Sequence, residues 1–388
     1  MAARTGSSST SGFFQASPTV PPLYTASKLA SLHGVNVSDE QVFDRALRLY
    51  LPESIPEKVE TSIHNFTRLV IDPSTLRLTV DCETNQPELN HLNTFGEENK
   101  AIAAREGLIG HGHQQPDEQH AVSWNRRIHQ FALVHAWIPT AALVSCPSAM
   151  TDGAATMIFQ HLDKPDDDQP GLRAVLSEVY KRLISIDPDY AWTSRQWMTE
   201  RKGGSNVRDT ETVARRLTSE EIQRDQKLGR DLDADEMPMG PWQIDGFKWS
   251  SSATDSNMAM MLAQTNKGLS AFFAPMRRRT GSHAVGKYEL NGVRIQRLKN
   301  KMGTKGLPTA ELELKGTRGW MIGKEGNGIK EISAILNLTR IYTTNGALGF
   351  WGRALAISRA YTKTRNVRDG LLQDNPRHLR WMANQTVD

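Results

Sequence analysis

Residues Trp197 to Val207 read WMTERKGGSNV, the stretch of this sequence best suited to hold a phosphate. The adjacent Gly203 and Gly204 let backbone N–H groups come close to an anion, and Ser205 adds a hydroxyl donor. Thr199 stands six residues before Ser205. One hydroxyl can hold a ring system while the other reaches a pyrophosphate. The same residues also fit an ordinary flexible loop between strands, because Gly-rich loops are common.

Other clusters carry less. His111-Gly112-His113 with His120 matches no metal-ligand spacing and lies in polar sequence, so a surface loop and no metal are expected. Arg277-Arg278-Arg279 is expected at a solvated hairpin tip rather than on a CoA phosphate or a nucleic acid. Gly323, Gly326 and Gly328 are spaced in reverse of the dinucleotide fingerprint and follow no βαβ unit. Trp192, Trp197, Trp320 and Trp351 are read as core. No GxSxG elbow, HExxH or P-loop occurs.

The elements that must position the loop follow from periodicity. Val42, Ala46 and Leu49 share a helical face, as do Val59, Ile63, Phe66 and Val70, and Ile128, Ala132 and His135. Helices are expected over Met150–Leu162 and Leu172–Ile186. From about Tyr190 to Met321 short alternating runs take over: MAMMLAQT (258–265), LSAFFA (269–274), VRIQRL (293–298) and AELEL (310–314). Asp245-Gly246 reads as a hairpin turn, and the charged Arg215–Met239 stretch as an exposed insertion. Helix returns at Ile329–Thr344 and Gly346–Arg365. The expected division is an extended or disordered tail over 1–24, a helical domain over 25–189, a β-barrel domain over 190–323, and the start of a helical domain, cut off in mid-fold, over 324–388.

Composition bounds the rest. The chain has 388 residues, more than one typical domain, and 47 Lys+Arg against 43 Asp+Glu give a net charge of +4. Phosphate-binding surfaces are allowed but not demanded. Two cysteines, Cys82 and Cys146, exclude a disulfide scaffold and fit a reducing compartment. The most apolar stretch, Phe131–Pro147, is broken by His135 and Pro139 and reads as core, not as a membrane span. The opening MAARTGSSSTSGFF is no secretory signal and, with one Arg, only weakly an organelle transit peptide. Thr386-Val387-Asp388 is no peroxisomal address. A cytoplasmic location is expected.

Taken in order, several blocks resemble the acyl-CoA dehydrogenase family. Met198-Thr199-Glu200 with Gly203-Gly204-Ser205 resembles its flavin loop. Gly246-Phe247-Lys248-Trp249-Ser250-Ser251-Ser252, Arg297–Gly303, and Gly319–Ile329 resemble its strands and the turn into its last domain. Leu338-Thr339-Arg340 and Arg365 stand where that domain's helices carry Arg. Cys146-Pro147-Ser148-Ala149-Met150-Thr151 points to the AidB-like branch. The resemblance covers roughly 20–388.

It implies an α+β fold: an N-terminal helical domain, a central β-barrel and an incomplete C-terminal helical bundle. It implies FAD, bound non-covalently. Met198 and Thr199 match contacts to the flavin pyrimidine edge, Ser205 with Gly204 the pyrophosphate loop, and Ser252 the hydroxyl facing the flavin N5 region. Ser250 and Ser251 stand where relatives carry aromatic residues on the flavin-packing strand, which implies a wetter pocket. Arg365 matches an Arg that reaches the flavin of a neighbouring subunit in family oligomers. Asn206 replaces the usual Asp after the Ser, and Arg368-Asp369 replace the usual Phe-Gly after Arg365.

The implied activity is α,β-dehydrogenation of an acyl thioester, bound to CoA or to a carrier protein, with the electron acceptor unassigned. That chemistry needs a carboxylate beside the flavin. Thr339 occupies the one family position for it inside this chain and the other lies past Asp388, so no catalytic base is assigned. A flavin-binding protein or fragment without dehydrogenase activity is the second reading. Nucleic-acid binding gains no support. Ile332, Ile335, Leu336 and Leu338, with Leu348, Phe350, Trp351, Leu355 and Ile357, are expected to form an uncovered apolar surface, so a homo-oligomer or aggregation is expected.

Overall fold

A computed structural model describes residues 19–26, 41–51, 56–80, 94–113, 124–141, 143–281, 288–304, 307–367 and 370–387. In chain order the helices are α1 (Gln41–Tyr50), α2 (Glu57–Leu69), α3 (Pro73–Val80), α4 (Thr94–Arg105), α5 (Gly110–His113), α6 (Arg126–Trp137), α7 (Ser145–Phe159), α8 (Leu172–Leu183), α9 (Ser219–Lys227), α10 (Gly328–Thr364) and α11 (Pro376–Val387). The strands are β1 (Ser194–Trp197), β2 (Val213–Arg216), β3 (Trp242–Ser252), β4 (Met258–Thr265), β5 (Gly268–Pro275), β6 (Arg277–Arg279), β7 (Tyr288–Leu290), β8 (Val293–Leu298), β9 (Thr309–Ile322), β10 (Asn366–Val367) and β11 (Gly370–Leu371). The chain forms two compact units. One comprises Met1–Thr75, His120–Thr140 and Asn345–Asp388; the other comprises Leu76–Gln119 and Ala141–Thr344.

In the second unit β4, β2, β3, β9 and β5 close into a barrel, because β5 returns to pair with β4. β1 lies parallel to β4 and β8 antiparallel to β9, outside that ring. The run MAMMLAQT has two buried faces. Met258, Met260 and Leu262 pack with Ala154, Ile158 and Ile335, whereas Ala259, Met261 and Ala263 pack with Trp197, Trp242 and Phe272. A strand buried on both sides loses the apolar–polar alternation of a half-exposed one. α7 is apolar nearly all round for the same reason: most of its length is buried.

In the first unit the stripe Val59, Ile63, Phe66 and Val70 is buried as its spacing requires. Phe66 packs on Trp137 with ring centroids 5.9 Å apart. Tyr24 is also buried and donates to Glu60 Oε1 at 3.0 Å.

Several expectations are corrected. Asp245-Gly246 is not a turn: β3 runs through it, with a register shift between Ile244 and Gly246. A Cβ at Gly246 would lie 2.4 Å from Thr212 Oγ1, so the glycine serves a close approach inside the barrel wall. Arg215–Met239 is not a bare insertion, since α9 carries a Thr218/Glu221 capping box and Asp233, Met237 and Met239 are buried. The final helices are one 37-residue helix, α10. Ile332 and Ile335 are buried, while Leu348, Phe350, Trp351 and Ile357 are exposed. Trp351 is therefore not core, and Val42 and Leu49 of α1 are exposed as well. Arg277–Arg279 form β6, paired with β7, with Arg278 Nε donating to Glu289 at 2.8 Å. Among the described residues no helix is long and apolar enough to cross a membrane.

Candidate functional site

β1 delivers the chain into the glycine loop, and the loop is held from both sides. Glu200 and Gly203 exchange backbone hydrogen bonds, Gly203 N–H donating at 3.0 Å and Glu200 N–H at 3.3 Å. The Trp249 N–H donates to the Thr199 carbonyl at 2.9 Å, which joins the loop to the C-terminal part of β3. The residues assigned from the two sequence blocks are thereby brought together: Met198, Thr199, Gly204 and Ser205 on one side, Ser250, Ser251 and Ser252 on the other. A Cβ at Gly204 would lie 2.6 Å from Thr199 Oγ1, so the threonine side chain closes over a backbone that only glycine leaves open. Gly204 and Ser205 are exposed, and among the described residues no intramolecular partner takes their N–H groups.

Ser250 is exposed, Ser251 fully buried and Ser252 half-buried. Ser252 Oγ lies 2.9 Å from Thr309 Oγ1, and the Lys301 ammonium donates to Thr309 Oγ1 at 2.7 Å and to the Leu307 carbonyl at 2.6 Å. With Lys301 donating into Thr309, the Thr309 proton is available to Ser252, and the Ser252 proton can point outward. Burial pushes the Lys301 ammonium below its ordinary value. Ser251 Oγ and Gln196 Nε2, buried at the ends of β3 and β1, have no hydrogen-bond partner among the described residues. Open polar atoms on both elements, with a hydroxyl and two N–H groups at an accessible loop, suit a ligand that is polar along one edge and anionic at its end.

Sequence reasoning missed the groups that hold this loop in place. Lys248 Nζ donates to Glu200 Oε1 at 2.7 Å and to the Leu262 carbonyl at 3.1 Å. Glu200 also accepts from the Thr212 hydroxyl at 2.6 Å and the Glu211 N–H at 2.6 Å. Burial by itself would raise the Glu200 carboxyl, but the Lys248 charge and these donors hold it below the ordinary range. Burial lowers Lys248. Arg195, fully buried on β1, donates through Nη2 to the Ser256 carbonyl and so ties β1 to the turn that follows Ser252. Burial brings its guanidinium down to about 9, against the opposing charge of Asp255. A charged residue in the buried phase of a strand was the available signal for both.

His113 is not on a surface loop. It ends α5, its Nε2 lies 2.7 Å from Asp152 Oδ1, and its Nδ1 lies 3.2 Å from the Tyr180 hydroxyl. Asp152, fully buried in apolar α7, also accepts from Tyr342 at 2.9 Å. One acid inside an apolar helix was the signal here. His120 and Arg368-Asp369 lie outside the described residues. Thr339 Oγ1 donates to the Leu336 carbonyl at 3.0 Å within its own helix. Arg365 belongs to the other unit and stacks on Tyr361 at 6.0 Å.

The sequence profile described as acyl-CoA dehydrogenase, middle domain, matches residues 196–317. Acyl-CoA dehydrogenase family member 11 of Caenorhabditis elegans is 34% identical over 402 residues, covering 98% of this chain and 57% of that protein. The putative acyl-CoA dehydrogenase AidB of Escherichia coli (strain K12) is 29% identical over 250 residues, covering 64% of this chain and 40% of that protein. Among solved structures, Caenorhabditis elegans ACDH-11 in complex with C11-CoA matches with a TM-score of 0.77 at 33% identity, covering 100% of this chain and 61% of that one. The Bd2924 apo-form matches at 0.74 and 30% identity, covering 96% of this chain and 68% of that one. The chain thus spans 57% of the length of the Caenorhabditis elegans family member 11 and 40% of that of the Escherichia coli AidB.

Proposed function

This chain belongs to the acyl-CoA dehydrogenase family, and on that premise we propose that the Thr199–Ser205 loop and the end of β3 bind FAD for the α,β-dehydrogenation of an acyl thioester. The observation that supports the reading is the Trp249–Thr199 backbone hydrogen bond, which joins the loop that carries Ser205 to the strand that carries Ser252. Gly204, Ser205 and their N–H groups would take the pyrophosphate. Met198 and Thr199 would meet the pyrimidine edge, with Ser250 and Ser251 beside the ring. Bound FAD would accept the hydride from the acyl β-carbon. Ser252, oriented by Thr309 and Lys301, would donate toward the N5 region and stabilise charge there.

Thr339 has no acid–base capacity at working pH, so the proton acceptor is left unassigned among the described residues. Arg365 is proposed to act on the cofactor of a second subunit, which makes a homo-oligomer part of the proposal. The substrate is proposed to be a CoA or carrier-protein thioester, and residues 190–323 are taken as the cofactor-binding barrel domain. A cytoplasmic location is part of the same proposal. The relatives' activities favour this reading over a flavin-binding protein without turnover. An absorption spectrum of the purified protein tests it. FAD bands that bleach under anaerobic acyl-CoA are expected. A colourless protein that takes up no added FAD overturns the cofactor assignment. A yellow protein that no acyl thioester bleaches overturns the dehydrogenase.

A further inference from the structure

Residues 19–26 belong to no helix or strand, yet they are strapped to α2. The Tyr24 carbonyl accepts from the Thr67 hydroxyl at 3.2 Å and from Arg68 Nη1 at 3.1 Å. The Thr25 hydroxyl accepts from Arg68 Nη2 at 3.2 Å, and the Tyr24 hydroxyl donates to Glu60 Oε1 at 3.0 Å. The last tie differs in kind. The buried Ala26 N–H donates to an imidazole, His64 Nδ1, at 3.1 Å. Upstream of these ties Val20 to Leu23 line a small cavity, together with Thr67 of α2, His135 of α6 and Gly349 of α10.

A backbone N–H can only donate, so Nδ1 must be the bare nitrogen of His64 and Nε2 carries the ring proton. A second proton would sit on Nδ1, head-on to the Ala26 N–H. It would also place a positive charge beside Arg68, whose Nη1 already holds the His64 carbonyl at 2.9 Å. Burial and the Arg68 charge both depress the imidazole, and Glu60 opposes them. On the elements packed around α2, Asp44 and Arg48 of α1 pair with each other at 2.8 Å and act on the Tyr24 hydroxyl. His129 of α6 is engaged with Ser62 Oγ at 3.1 Å. Of the groups that tie the strap, only His64 has an ordinary titration close to neutrality.

We propose that the Ala26–His64 hydrogen bond is a pH-sensitive latch: it holds residues 19–26 on α2 at neutral pH, and a proton on Nδ1 releases them and opens the cavity they line. The sign follows from the depressed imidazole. The released strap leaves His64 easier to protonate than the docked one does. Docking is therefore fully supported above the ordinary histidine value, about 6.5, and weakens as pH falls below it. The latch lies in the unit without the Thr199–Ser205 loop and does not depend on the flavin assignment.

Hydrogen–deuterium exchange of the full chain at pH 7.5 and pH 5 tests it, corrected for the intrinsic pH dependence of exchange. Peptides covering residues 19–26 should lose protection roughly tenfold at pH 5, the value of one pH unit of linked protonation, while β4 and β5 keep theirs. His64→Asn retains a side-chain acceptor that does not titrate, and should keep the strap protected at both pH values. His64→Leu offers no acceptor, and should leave it poorly protected at both. Circular dichroism confirms that each variant is folded. Equal protection of the parent strap at the two pH values overturns the proposal. So does a loss that persists undiminished in His64→Asn, which would place the titration elsewhere, or one shared equally by β4 and β5, which would be global unfolding. A His64→Asn strap open at both pH values overturns the role of the acceptor.

Discussion

Lys248 Nζ and Glu200 Oε1 meet at 2.7 Å where almost no solvent reaches either side chain. The pair links β3 to the residue that opens the glycine loop. Removing one partner strands the other charge in the interior. Glu200→Gln or Lys248→Met should therefore cost about 3–5 kcal/mol in urea denaturation, while replacing both with apolar residues should cost much less. The sign of the pH effect follows from the depressed Glu200 carboxyl. Its stabilisation is present above the unfolded value, about 4.3, and is lost as pH falls through the lower folded value. Glu200→Gln should flatten that acid limb. An unchanged limb would show that the pair contributes nothing to acid sensitivity.

The Thr199–Ser205 loop proposed to bind FAD gives a steric prediction. Gly204→Ala forces a Cβ against Thr199 Oγ1, and Ser205→Glu puts a like charge where a pyrophosphate should sit. Both proteins should purify folded and depleted of FAD, read as the absorbance ratio of flavin to protein. Full occupancy in Ser205→Glu removes the loop from the site.

Thr309 relays orientation from Lys301 to Ser252. Thr309→Val should leave FAD binding within a few-fold of the parent and slow flavin reduction by acyl-CoA roughly five- to tenfold, the value of one hydrogen bond. Thr309→Ser should restore the rate. Equal rates in the Val and parent proteins, measured by stopped flow, would show that Ser252 needs no such support.

Asp233 works against the fold at neutral pH. It is buried, accepts backbone N–H groups from Asp235 and Met237 at 2.8 and 2.9 Å, and burial raises its carboxyl to about 6. An acid raised in the folded state holds its proton more tightly there. Stability is therefore greatest below the unfolded value and falls as pH rises from about 4 to 6. Asp233→Asn, which keeps an acceptor without the charge, should stabilise the protein at pH 7 by at most about 3 kcal/mol and change nothing at pH 4. Denaturation midpoints at the two pH values decide it.

The legible parts of the sequence were those whose chemistry is local. The loop at Gly203-Gly204 announces itself by its glycines, and the buried stripe Val59–Val70 by its period. What pairs across long separations did not show. Asp245-Gly246 reads as a hairpin because the turn signal is local, whereas the partner that makes Gly246 necessary, Thr212, lies 34 residues earlier, just before β2. His113 looked solvated because its neighbours in sequence are polar; its neighbour in space is Asp152. Val42 and Leu49 have a core-like period, but both remain exposed.

Closure of the barrel has a consequence for the order of synthesis. β3 pairs with β2 on one side and with β9 on the other, and Trp242 faces Gly319. Until residues 309–322 leave the ribosome, one whole edge of the 11-residue β3 has no partner, and β5 waits for the same strand. Such long-range pairing is slow relative to local hairpins, and an open, partly apolar edge is a template for other chains. β4 and β5, adjacent in sequence, can pair early and store the half-built wall. The late arrival of β9 makes that strand the kinetic keystone: substitutions weakening it should reduce soluble yield during expression more than they reduce the equilibrium stability of protein already folded.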